Sequence, residues 1–129
     1  MDIEKIKSEL KMEKLYFPES IVNRKKDIAN GKLAMDLKKE IQKLEDNKYN
    51  VCLIFTIGKE AEDLFVKVVA SADFLLNCDD ENFAKNIIDN NTVAIMFPFL
   101  RSHVSLLTTQ PNMSPIIIPP INTSKFIKN

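Results

Sequence analysis

The chain contains one histidine, His103, in the run Leu100-Arg101-Ser102-His103-Val104. Histidine next to serine and arginine could support nucleophilic or general acid–base catalysis, because imidazole titrates near neutrality and can take a hydroxyl proton. Such catalysis also needs an acid that orients the ring and an activated serine or cysteine. No carboxylate lies close to His103 in sequence. With only two glycines, the chain has no phosphate-cradling loop. His103 is therefore expected at an interface or on the surface, and Arg101 is expected to pair with a carboxylate or a helix end. No catalytic residue is assigned. A small enzyme using His103 with a distant carboxylate remains the rival from another class; replacing His103 by Gln would abolish such an activity.

Metal and redox chemistry fare no better. Glu9, Glu13 and Glu19, and the later run Asp79-Asp80-Glu81, have neither calcium-loop nor zinc spacing. They read as solvated faces, and no metal or cofactor is expected. Cys52 and Cys78 form no metal or redox motif. Cys52, inside Val51-Cys52-Leu53-Ile54-Phe55, fits a small buried hydrophobe, and a disulfide is disfavoured in a reducing compartment.

The bulk composition bounds the remaining choices. At 129 residues the chain fits one domain, residues 1–129, with a single modest core. Eighteen basic and eighteen acidic residues cancel, and Arg24-Lys25-Lys26 is too short a cluster to suggest nucleic acid. No apolar run approaches the roughly 18–20 residues that cross a bilayer, and Met1-Asp2-Ile3-Glu4-Lys5 lacks a signal-peptide core. A cytosolic protein without membrane insertion is expected.

The elements that must position these residues are mostly strands, followed by helix. Residues 10–17 begin with period-two alternation and suggest a strand, and residues 18–32 read as a long crossover loop. Residues 33–45 are ambiguous: Leu33, Leu37, Ile41 and Leu44 fit a helix, whereas Leu33, Met35 and Leu37 fit a strand. Asp46-Asn47-Lys48 is a turn signal, and Tyr49–Ile57 and Leu64–Ala72 are strands joined by a polar hairpin connection. Asp79-Asp80-Glu81 suits a helix start, with a short helix through Phe83, Ile87 and Ile88. Asn90-Asn91-Thr92 should break that helix and cap the next. From Val93 the residues Met96, Phe97, Leu100, Val104 and Leu107 form a helical stripe, with Phe99, His103 and Leu106 on a second face. Pro98 should kink this helix or mark its true start. Pro115-Ile116-Ile117-Ile118-Pro119-Pro120-Ile121-Asn122 reads as an extended apolar segment packed on the body.

Phe74-Leu75-Leu76 and the Ile-Pro run add apolar edges beyond what one small sheet can cover, so the chain either oligomerises or binds something apolar. From Leu33 onwards it resembles the export chaperone family SecB. The most specific pieces are Met96-Phe97-Pro98-Phe99-Leu100-Arg101 and Pro120-Ile121-Asn122, preceded by the ordered strands. The resemblance implies that residues 33–45 are strand. It further implies an α+β fold: a four-stranded antiparallel sheet with a long kinked helix and a short helix on one side, assembled as a dimer of dimers.

The implied function is an ATP-independent holdase that binds unfolded or precursor polypeptides and passes them to SecA for export. The implied client contacts are Phe74 and Leu76, with Ile21, Val22 and Ile28 in the crossover. Val93, Phe97, Leu100, Arg101, His103, Val104 and Leu107 would build the homotetramer interface. Glu19, Phe65 and Lys67 would lie on the SecA-facing surface, where Lys67 stands in place of a family acid. The final helix is nearly missing, since residues 122–129 leave room for about two turns. A chaperone dedicated to one client, such as an antitoxin, is the alternative, and a client-free structural oligomer is a further one.

Overall fold

The structure, a computed structural model, describes residues 10–26, 33–59 and 63–127. Among these, β1 (Leu10–Arg24), β2 (Met35–Glu45), β3 (Lys48–Gly58) and β4 (Leu64–Leu76) form one antiparallel sheet in the order β1-β4-β3-β2. The register places apolar residues opposite one another on a single face. Leu37 pairs with Phe55 and Ile41 with Val51, while Leu53 pairs with Ala70 and Phe55 with Val68. Alternation is strict along β3 and broken along β4 only at buried Ser71, so Val51, Leu53, Phe55, Ile57, Val66, Val68 and Phe74 are all fully buried on that face.

The helical layer covers this face. Asp80 opens α1 (Glu81–Asn86) as its N-cap, its carboxylate accepting from the N–H groups of Asn82 and Phe83. A π-helical turn, Ile87–Asn91, leads without interruption into α2 (Thr92–Thr108). Val93, Met96, Phe97, Leu100 and Val104 of α2 are buried, and Phe97 meets Phe55 edge-on at 6.3 Å between ring centroids. A tail then returns along α2 and ends in the single turn α3 (Thr123–Phe126). Ile116 and Ile118 are buried in the core and Ile117 points outward, so the Ile-Pro run is extended and packed on the body, as its composition suggests.

Several boundaries move. Residues 18–24 are not loop: β1 continues through Pro18 to Arg24. The strand tolerates proline because β1 lies at the sheet edge and its register shifts on both sides of Tyr16, with Lys14 at φ 53°. β4 likewise runs on through Phe74-Leu75-Leu76, which were expected at a strand-to-helix transition. Residues 35–45 are strand, which settles the ambiguity against helical spacing. Asn90-Asn91-Thr92 does not break the helix, and Asn91 makes no side-chain cap bond. Pro98 lies inside α2 and does not mark its start. At the β3 end, Gly58 has φ +75°, and a Cβ there would meet the Leu64 carbonyl oxygen at 2.1 Å, so only glycine fits the connection. No described helix is long and apolar enough to cross a membrane.

Candidate functional site

His103 projects from α2 towards β1 and stacks on Phe17, with ring centroids 3.8 Å apart and planes 2° from parallel. Its Nε2 lies 3.1 Å from Ser20 Oγ. Burial against β1 lowers the imidazole pKa below its ordinary value. Ring, aromatic and hydroxyl together describe a docking contact between helix and strand. Arg101 finds a main-chain carbonyl of the tail where a carboxylate or a helix end was expected: its Nη1 donates to the Ile118 oxygen at 3.4 Å. Cys52 and Cys78 are free thiols, and no cluster of metal-ligating groups forms among the described residues.

The expected client contacts do not form one patch. Phe74 and Leu76 point into the core of the protomer, beneath the helical layer. Ile21 and Val22 are neighbours on one strand and face opposite sides: Ile21 is exposed across from Lys67, while Val22 packs on the core across from Val66. Ile28 lies outside the described residues. Val93, Phe97, Leu100 and Val104, expected between subunits, are covered by the protomer's own sheet, and Leu107 packs partly on the same core. The side of α2 turned outward carries Ile95, Phe99 and Leu106 instead, with Leu106 73% exposed. Glu19, Phe65 and Lys67 do share the outer sheet face. There Lys67 Nζ lies 3.1 Å from a Glu19 carboxylate oxygen, so a local cation offsets that acid.

The sequence did not reveal a cleft of about 760 Å³ between the β2–β3 turn and the first helical turns. Ile41 and Tyr49 from the sheet meet Ala84 and Ile88 from the helical layer along its lining. Lys43, Asp46, Glu81 and Lys85 add charge, and Lys43 stands 5.9 Å from the Tyr49 ring centroid. Tyr49 pairs with buried Phe74, so the predicted aromatic backs the cleft from one strand away. Two distant stretches of chain, residues 41–49 and 78–89, build this lining, and no local motif announces it. The outward row on α2 was partly legible, since Phe99 and Leu106 stand off the main stripe.

A four-stranded antiparallel sheet backed on one face by a long helix, with apolar side chains turned outward on that helix and an amphipathic cleft at the β2–β3 turn, defines a two-layer α+β scaffold. The chain belongs to the SecB family: the family described as preprotein translocase subunit SecB matches residues 7–128. An uncharacterised protein of Methanocaldococcus jannaschii is 27% identical over 99 residues, which are 74% of this chain. The matched region spans 64% of that relative's length. A SecB-like chaperone of Mycobacterium tuberculosis, solved with a peptide from an antitoxin, shares the fold at TM-score 0.69 and 12% identity. That match covers 92% of this chain and 95% of the other. A Streptococcus agalactiae protein of unknown function aligns at TM-score 0.49 and 9% identity, over 86% of this chain and 97% of its own.

Proposed function

We propose that this protein is an ATP-independent cytoplasmic holdase that keeps unfolded polypeptides in solution by covering their apolar segments. One observation carries the reading: a SecB-family protomer of 129 residues leaves Tyr16, Ile21, Leu44, Ile95, Phe99, Leu106 and Ile117 exposed and also carries a cleft of about 760 Å³ lined in part by Ile41, Tyr49 and Ile88. The row Ile95, Phe99 and Leu106 along one face of α2 supports an interaction surface there. Client segments enter the cleft against Ile41, Tyr49 and Ile88, with Phe74 shaping the floor behind Tyr49 and Leu76 further along the same strand. Ile21 offers a separate contact on the outer face. Many weak contacts over a long surface give useful avidity with little sequence preference.

The assembly in this reading is a dimer of dimers. Ile95, Phe99, Ser102 and Leu106 repeat at intervals of four, three and four, the spacing with which one helix packs against another. Arg101, His103 and Leu107 flank that seam.

A dedicated client is the second reading, and the Glu19–Lys67 pair favours it. Neutralising an acid on the outer face weakens any contact that depends on negative charge there, including one to SecA in export. A similar fold holding an antitoxin peptide supports the same direction.

The test is suppression of aggregation when a denatured client is diluted into buffer with stoichiometric protein and no nucleotide. Light scattering should fall at least severalfold; no protection from a monomeric protein would refute the holdase. A dye that fluoresces on apolar surface separates this from a sealed structural oligomer, which would bind little of it.

A further inference from the structure

Beside α2 lies a second, smaller pocket of about 140 Å³, remote in sequence from most of the large cleft's lining. Phe97, Pro98, Pro120 and Ile121 give it apolar walls, and Ala94, Arg101 and Thr123 complete the lining. The two prolines hold their φ angles nearly fixed, so the walls are largely preformed.

Two polar groups at this pocket lack their usual partners. Pro98 has no N–H, so the carbonyl of Ala94, four residues earlier, loses its regular i+4 helical donor. Arg101 Nε is buried without a hydrogen-bond partner, while Nη1 of the same guanidinium reaches only a long 3.4 Å contact to the Ile118 oxygen. That weak tether lets the guanidinium turn towards a better acceptor.

One unmatched acceptor and one unmatched donor next to an apolar hole complement a peptide group with an aliphatic side chain. An amide N–H serves the Ala94 carbonyl, and an amide oxygen serves Arg101 Nε. A carboxylate would satisfy Arg101 but set its own oxygen against the Ala94 oxygen. A bare hydrocarbon would leave both groups unmatched.

We infer that this pocket is a main-chain-reading subsite, taking one branched aliphatic side chain of an extended polypeptide together with a neighbouring amide. The inference rests on the holdase reading for its source of polypeptide. It adds a criterion that apolar surface alone does not supply. In a folded protein a buried aliphatic residue has its amide already paired. A non-native segment presents free amides and exposed aliphatic side chains together far more often than a folded surface does, so the subsite favours unfolded over folded chains.

The test uses a decapeptide with one central leucine in a serine–glycine background, and the same peptide N-methylated at that leucine. Binding to the full-length protein is followed by NMR at the Arg101 Nε–H and Ile121 methyl signals. Pro98→Ala supplies the missing N–H to Ala94 from within the helix and is compatible with helical structure. In the wild type, N-methylation should weaken binding about tenfold, the scale of one hydrogen bond. In Pro98→Ala the two peptides should bind alike, both as weakly as the methylated peptide binds the wild type. Equal sensitivity to methylation in both proteins, or shifts confined to residues away from this pocket, would overturn the subsite. The aggregation assay tells the two readings apart: protection of a denatured client with no response at the pocket sinks the subsite alone, whereas loss of both sinks the holdase as well.

Discussion

Thr108 ends α2 and ties three parts of the chain together. Its Oγ1 donates to the Val104 carbonyl at 2.8 Å and accepts from the Ile116 N–H at 2.8 Å. Its carbonyl accepts from Arg24 Nη1 at 2.9 Å, so the end of β1, the end of α2 and the start of the tail share one buried residue. Thr108→Val keeps the shape and strands the Ile116 N–H away from water. Urea denaturation should show a loss of about 1–3 kcal/mol, with no change in the secondary structure seen by circular dichroism. His103 belongs to the same scale. Because burial lowers its folded-state pKa, the unfolded chain binds the extra proton more readily. Its contribution to stability is therefore present above the ordinary imidazole range and lost as pH falls through and below it.

At the scale of the element, the π turn explains how one helical layer crosses a sequence that reads as a break. Ala84, Ile88, Thr92, Met96, Leu100, Val104 and Thr108 are all buried at steps of four. A regular α-helix would carry that stripe steadily around its axis, because its period is 3.6. The wider turn at Ile87–Asn91 takes up part of the drift and keeps the stripe on the sheet. Lys39, on the inner face of β2, donates from Nζ to the Asp89 carbonyl at 2.8 Å and satisfies a main-chain oxygen of that turn. Lys39→Met should cost about 1–2 kcal/mol in thermal or urea unfolding, with the loss of amide-exchange protection concentrated at residues 87–91. Asn90 and Asn91 looked like punctuation because asparagine favours caps, and the tertiary support from Lys39 is invisible to local propensity. The same gap hid the course of β1 through Pro18, where an edge position and two register shifts remove the demand for an N–H donor. The strands with the most regular alternation, β3 and β4, were legible because a fully buried face imposes period two on the residues that line it.

For the whole molecule, the question is which apolar surface serves the protomer and which serves its partners. The stripe that attracts the eye in the sequence, Val93 to Val104, closes the core, and the row Ile95, Phe99 and Leu106 remains outside. Sequence periodicity shows that a helix has an apolar face but not which layer that face meets. For this reason the family and the sheet were readable from Met96-Phe97-Pro98-Phe99 and the strand order, whereas the cleft around Tyr49 needed three-dimensional closure. Leu106→Asp places a charge on the proposed seam without touching the core. Size-exclusion chromatography with light scattering should show a smaller species than wild type at equal concentration, while the protomer's unfolding midpoint shifts little once association is accounted for. An unchanged mass would move the seam elsewhere.

The irregular rim of β1 has a final consequence. A long, flat, regular edge strand acts as a template on which extended chains add one after another and grow into fibrils. This rim is interrupted twice: one register shift falls between Glu13 and Tyr16, where Lys14 takes a left-handed conformation, and the other between Tyr16 and Glu19, where Pro18 lies. In the proposed holdase role, β1 thus presents bound chains with an edge poorly suited to seed their growth.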